Sequence, residues 1–244
     1  RAPNVDDIGK VFDSEPGQVV VPNPDLEAER AYSVELGFAS ILGEKIKMDV
    51  AGYYTTVDNA IARGAATFNG QDSIAYDGVW SRVLSQQNIS KIYVAGIQGG
   101  VDWQLAEVLK ISSTVNYQKG KEKDPETGRN FSPPHVAPLF GSTHIIFSHD
   151  KVKADMYAIY NGEVKYSDLA LTERSDHHLY AKDKNGRPYA PNWWTLNAKG
   201  EYKLNDHFSV LAGLENILNK RYRPYASGIS AAGRNFIISI RARL

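Results

Sequence analysis

Two sets of side chains in this sequence are of types that do chemistry. The first is its histidines, six in all. His177 and His178 stand together beside Asp176, with His144 and His207 elsewhere. Imidazole and carboxylate ligate zinc, and imidazole ligates haem iron. Neighbouring residues of an extended chain point to opposite sides, however, so the pair alone is a poor chelate and no metal site is expected. The second set is aromatic: Tyr76, Trp80, Tyr166, Tyr180, Tyr189, Tyr222 and Tyr225, with Arg223 among them. Rings beside a guanidinium suit a flat or catecholate-like anion, held by stacking and charge-assisted hydrogen bonds. The same residues also suit an interfacial girdle or packing of one loop on another. Together with His177 and His178 they are the candidate ligand contacts.

Other chemistry is missing. The chain has no G-x-S-x-G, no phosphate loop and no H-E-x-x-H, so no enzyme and no cofactor is expected. It has no cysteine, which removes disulfides, thiolate zinc sites and a thiol nucleophile. "DKNG" and "DPETG" read as turns, because too few carboxylates follow at calcium-ligand spacing. Lys plus Arg and Asp plus Glu both number 28, so no net field recruits nucleic acid.

The elements that must carry these residues are strands. The composition is rich in aromatics, with 14 Tyr, and polar turn letters separate extended stretches. Tyr32, Val34, Leu36 and Phe38 alternate with Ser33 and Glu35, and Ile46, Met48 and Val50 with Lys45, Lys47 and Asp49. The split returns along 91–105, 108–118, 138–148, 151–160, 193–204, 207–215 and 233–244. This predicts about nine strands of roughly ten residues, each with one apolar and one polar face. No run of about 18 apolar residues suggests a spanning helix, a test that spanning strands escape.

Alternation alone fits a soluble sandwich as well as a membrane barrel, so the connections decide. Joints near 42–45, 105–107, 149–151 and 204–207 are tight. Those near 62–88, 120–135, 164–191 and 218–234 are long and rich in Gly, Pro, Asp and Tyr. In an antiparallel meander, strict short and long alternation puts all short turns on one rim and all long loops on the other, as in outer-membrane barrels. Trp103, Phe147, Trp193, Trp194, Tyr202 and Phe208 cluster near strand ends, where aromatic girdles sit. The polar-face charges Lys45, Lys47, Asp49, Lys110, Lys151, Lys153, Lys199, Glu201, Arg241 and Arg243 are then expected to face the lumen, pairing across strands or meeting a plug. Bacterial single-chain barrels close on an even number of strands, so an odd set implies further strands ahead of this chain.

Four stretches carry a resemblance. "RAPN" at 1–4, "NPDLEAERAYSVELGF" at 23–38, "LENILNKRY" at 214–222 and "GRNFIISIRARL" at 233–244 are similar to the C-terminal half of the barrel in TonB-dependent outer-membrane receptors. The resemblance implies an all-β, antiparallel, up-and-down transmembrane barrel, of which residues 1–244 form the C-terminal part of about nine strands out of 22. It implies a bacterial outer-membrane location, with lipid, the plug and earlier strands, and TonB as partners. It further implies active import of a scarce small nutrient such as a ferric siderophore, haem or cobalamin, caught by long extracellular loops. The plug and the TonB box are absent from this chain. A passive porin-like barrel and a soluble β-sandwich binding module stay open as alternatives.

Overall fold

A computed structural model describes residues 1–123, 128–175 and 178–243, without the side chains of 14, 15, 89 and 90. Asp176, His177 and Leu244 lie outside the described residues. The chain forms two compact units. The larger comprises Glu35–Tyr53, Ala95–Lys119 and Pro134–Leu244. It is built on nine strands: β1 (Arg30–Leu42), β2 (Ile46–Ala65), β3 (Val79–Ala106), β4 (Leu109–Lys123), β5 (Phe140–His149), β6 (Val152–Asn161), β7 (Trp193–Lys203), β8 (Phe208–Glu215) and β9 (Asn235–Ala242), the first four of which continue into the other unit. Each pairs with its successor in the chain, antiparallel throughout β4 to β9. The expected meander is present. No helix among the described residues is long and apolar enough to cross a membrane.

Register sets the two faces. Ile111, Ile145, Met156, Ala198, Leu214 and Phe236 stand side by side across six strands. One residue along each strand, Lys110, Ile146, Asp155, Lys199, Gly213 and Ile237 form the neighbouring row on the opposite face. A slip of one residue would exchange the faces, so the alternation specifies the pairing.

Burial is inverted relative to a soluble protein. Leu36 is 82% exposed, Met156 51% and Phe236 66%. Among the described residues of this unit, the buried apolar side chains are Val164, Leu169, Ala170, Tyr180 and Pro188, all in the 162–192 connection and none on the nine strands. On the parts of the nine strands that belong to this unit, the buried described residues are polar: Asp155, Thr195, Asn197 and Ser209. Contiguous exposed apolar surface of this kind marks contact with another apolar phase, which removes the soluble-sandwich reading.

The polar face is knitted by close packing over glycine. The Tyr53 ring on β2 lies across Gly96 on β3, and its hydroxyl donates to Gln118 on β4 at 2.7 Å. A methyl at Gly96 would meet the ring, with Tyr53 Cε1 at 2.8 Å. Gly52 faces the other way, where the nearest atom to an added Cβ is 4.0 Å off. Gly96→Ala is therefore expected to cost ~1–3 kcal/mol by overpacking and loss of the Tyr53 bond, while Gly52→Ala stays near wild type. Urea titration of the folded receptor by heat-modifiable gel shift measures both, and equal effects would contradict the packing account.

The smaller unit comprises Arg1–Val34, Tyr54–Val94 and Gly120–Pro133. The expected long loop at 62–88 is mostly paired strand, which corrects the sequence reading. β2 runs to Ala65, a short strand Ser73–Tyr76 folds back on β3, and β3 itself starts at Val79. Two tight turns make this possible. Asn69 and Gly70 have φ of 51° and 78°, and Asp77 and Gly78 have 50° and 80°. These are the positive φ pairs of two-residue hairpin turns, for which Asn-Gly and Asp-Gly are the strongest short-range signals. Val19 and Val21, on a strand running parallel to Arg82–Ser85, pack with Val83, Ala66, Ile74 and Tyr76 into a small core.

Candidate functional site

On the polar face of the larger unit, four of the ten expected charges, Lys110, Lys199, Glu201 and Arg241, take ion-pair partners. Lys110 reaches Asp102 at 2.9 Å. The Asp155 carboxylate takes His144 at 3.1 Å and Lys199 at 3.3 Å, and Glu201 takes Ser209 at 2.8 Å and Arg241 at 3.5 Å. His144 is thus held by an acid, not set among metal ligands, and among the described residues no group of three His, Asp or Glu could hold a metal. Asp49 covers Gly100, and Lys45 and Lys47 are exposed. Arg243 donates its backbone N–H to the His207 carbonyl at 2.8 Å.

Six of the ligand candidates lie elsewhere, at a cleft between two connections that follow β6 and β8. This cleft of about 530 Å³ is walled by residues 178–181 and 189–193 on one side and 220–226 with Ser230 on the other. That volume lies within the range of small-ligand sites. Its floor on the strand side is Trp193, which stacks on Tyr222 with ring centres 4.1 Å apart. Trp193 therefore faces the cleft, whereas Trp194, on the other face, is 51% exposed. The expectation that both belong to an outer girdle is corrected for Trp193, and strand alternation is the reason.

The 216–234 segment is held from its base. Asn216 is buried at φ 48°. Its amide nitrogen donates to the carbonyls of Lys220 and Ala232 at 2.9 and 3.1 Å, and its oxygen accepts from the Lys220 N–H at 2.8 Å. Asn197 on β7 in turn accepts the Asn216 N–H at 2.8 Å. Across the cleft, Arg223 Nη1 donates to the His178 carbonyl at 2.9 Å. Lys220, Arg221 and Arg223 thus line one wall, and no described lining residue is acidic.

Of the ten ligand candidates, His178, Tyr180, Tyr189, Tyr222, Arg223 and Tyr225 come together here. Their roles differ. Tyr180 is buried, packed with Val164 and Leu169, and Tyr225 packs on the same cluster. Tyr166 is not at the cleft: Arg174 and Arg187 lie over its ring at 4.7 and 5.2 Å. Arg187 is fixed by Asp183, whose carboxyl is held below the usual range first by the Arg187 backbone N–H. The same "DKNG" turn closes with the Gly186 N–H on the Asp183 carbonyl at 2.9 Å. Tyr76 and Trp80 belong to the other unit, Tyr76 against its valine core. His177 lies outside the described residues. Sequence reading missed Lys220, Arg221, Trp193 and Asn216. The cationic run in "LNKRYRPY" was the available signal.

Burial, with the Glu173 carboxylate beside it, pushes the Tyr225 phenol well above its ordinary value. A phenol raised in the folded state adds stability fully below the unfolded value, about pH 10, and loses it as pH rises beyond. The tyrosinate absorbance of wild type minus Tyr225→Phe is therefore expected to stay flat through the ordinary tyrosine range and to appear only at higher pH. A difference titrating near pH 10 would contradict this burial.

A family model described as "TonB dependent receptor-like, beta-barrel" matches residues 1–217. No curated protein matches the sequence. Among solved structures, a mutant of the ferric enterobactin receptor PfeA from Pseudomonas aeruginosa superposes with TM-score 0.74 at 19% identity, over 99% of this chain and 36% of that one. The siderophore receptor PirA from Acinetobacter baumannii gives 0.69 at 16%, over 92% and 33%. The FrpB iron transporter from Neisseria meningitidis gives 0.66 at 16%, over 92% and 33%. The chain thus spans about a third of the length of these structures, and at such identities the likeness concerns the fold.

Proposed function

Because the chain belongs to the TonB-dependent receptor β-barrel family, whose barrels sit in the bacterial outer membrane, we propose that residues 1–244 are the C-terminal part of a receptor that imports a scarce nutrient. Its work is transport, not catalysis. Earlier barrel strands and a plug complete the wall, TonB energises passage, and the exposed apolar face meets lipid. The polar-face residues Lys45, Lys47, Asp49, Lys199, Glu201, Arg241 and Arg243 face the lumen or the plug.

One observation carries the ligand class. The cleft combines Tyr189, Tyr222 and Trp193 with Lys220, Arg221 and Arg223 and has no acid among its described lining residues. Half-buried rings still offer stacking surfaces, and cations with no acid beside them favour negative charge. Such a wall suits an anionic chelate carrying flat rings, and a ferric catecholate is the simplest member of that class. The names of the neighbouring receptors for ferric enterobactin and siderophores support the same class.

Binding to purified full-length receptor tests this, read by quenching of tryptophan fluorescence with Trp193→Phe as control. Ferric tris-catecholate is expected to quench in wild type and much less in the control. Quenching by neutral cobalamin alone, or by no member of a panel including haem and a ferric hydroxamate, would overturn the reading.

A further inference from the structure

Among the described residues of this unit, the buried acids are Asp155 and Glu173. Glu173 is 4% exposed, in a single 3-10 turn (Thr172–Arg174) of the 162–192 connection, and two of the three residues it meets are far away in sequence. Its carboxylate accepts the Tyr225 hydroxyl at 2.7 Å, the Ala170 N–H at 3.2 Å and the His135 N–H at 3.4 Å. Those donors come from three different connections: 216–234, its own, and 132–139. A carboxylate is costly to bury unless hydrogen-bonded, and here two of the three donors reach it from outside its own segment. Tyr225 is two residues from Arg223, which donates to the His178 carbonyl on the same facing connection. Two clasps therefore join the walls of the cleft. One is at the rim, through a flexible arginine, and one is behind it, through a buried acid and a rigid ring. Tyr225 also tilts against Tyr180 with ring centres 6.4 Å apart, and its hydroxyl is committed to the acid.

We propose that Glu173 is the positioning residue of the cleft: by accepting the Tyr225 hydroxyl it locks the 216–234 connection onto the 162–192 connection and so fixes where Arg221, Tyr222 and Arg223 meet a ligand. This rests on the reading of the cleft as the capture site, but the lock itself does not need a ligand to be seen. Glu173 touches no ligand. It acts by removing the ordering cost that two independent loops would otherwise bear on binding.

Amide hydrogen exchange on the full-length receptor, with the folded barrel verified by heat-modifiable migration, tests the lock. Glu173→Ala is expected to speed exchange about tenfold in both connections together, the scale of one buried hydrogen-bond partner lost. Glu173→Gln keeps an acceptor for the phenol and is expected to restore protection in both. Tyr225→Phe should reproduce most of the alanine effect, and the double variant Glu173→Ala/Tyr225→Phe should add little to Glu173→Ala alone. Ferric tris-catecholate affinity is expected to fall about tenfold in Glu173→Ala and to return with Glu173→Gln. Unchanged exchange in Glu173→Ala, loosening of only one connection, or failure of Glu173→Gln to restore it overturns the proposal. If no probe binds wild type while the exchange pattern holds, the capture reading fails and the lock stands. If probes bind wild type and Glu173→Ala alike, positioning fails and the capture reading stands.

Discussion

Ile238→Lys is expected to destabilise the receptor in a bilayer by ~2–4 kcal/mol, while Ser239→Lys one residue on is tolerated. Ile238 is 67% exposed and pairs with Ala212 in the apolar band of β8 and β9. Ser239 pairs with Leu211 on the face that carries Glu201 and Arg241. In water, a lysine at an exposed position typically changes stability by less than ~0.5 kcal/mol. At the middle of a lipid-facing strand it must leave water for hydrocarbon, at the depth where that cost is greatest. The difference between the two outcomes is large enough to separate the environments without ambiguity. Urea titration of receptor refolded in liposomes reads it. Equal, small effects at both positions would place water on both faces and sink the membrane assignment.

Arg221→Ala is expected to lower affinity for an anionic ferric catecholate about tenfold to a hundredfold, since a hydrogen bond to a charged group contributes ~1.5–3 kcal/mol. Arg223→Ala should lose at least as much, because it also frees the His178 carbonyl from its 2.9 Å bond and loosens the rim. Lys184 supplies the control. It is exposed in the Asp183–Gly186 turn and does not line the cleft, so Lys184→Ala should leave affinity unchanged. Raising salt is expected to weaken wild-type binding and to affect Arg221→Ala less. Equilibrium titration at two salt concentrations measures both, and an Arg221→Ala protein that binds as wild type would remove the cationic wall from the account.

The fold was legible because period-two alternation is a strong signal when one face must be apolar over its whole length. Met156 opposite Asp155, or Ile238 beside Ser239, states the face without any structure. Strand ends were less legible. β3 extends to Val79 and β2 to Ala65, beyond the apolar band, where polar strand and polar loop have similar compositions. The Asn69-Gly70 and Asp77-Gly78 turns were the local clue. The site divides in the same way. Tyr189, Tyr222 and Arg223 were found by residue type and loop position. Tyr180 and Tyr225 carry the same chemistry but are spent on packing and on Glu173, which only long-range contacts reveal. Glu173 itself has no pattern in sequence, since two of its three partners lie 38 and 52 residues away.

Energised uptake tests the central claim of import most directly. A strain lacking the receptor is supplied with the full-length gene or its Arg221→Ala variant and given radiolabelled ferric tris-catecholate, with and without a protonophore. Wild type is expected to accumulate the probe, to lose nearly all accumulation with the protonophore, and to outpace Arg221→Ala at low probe concentration. Accumulation indifferent to the protonophore would mean passive passage through a porin-like barrel. The same low uptake with and without the receptor gene would contradict import of this ligand class.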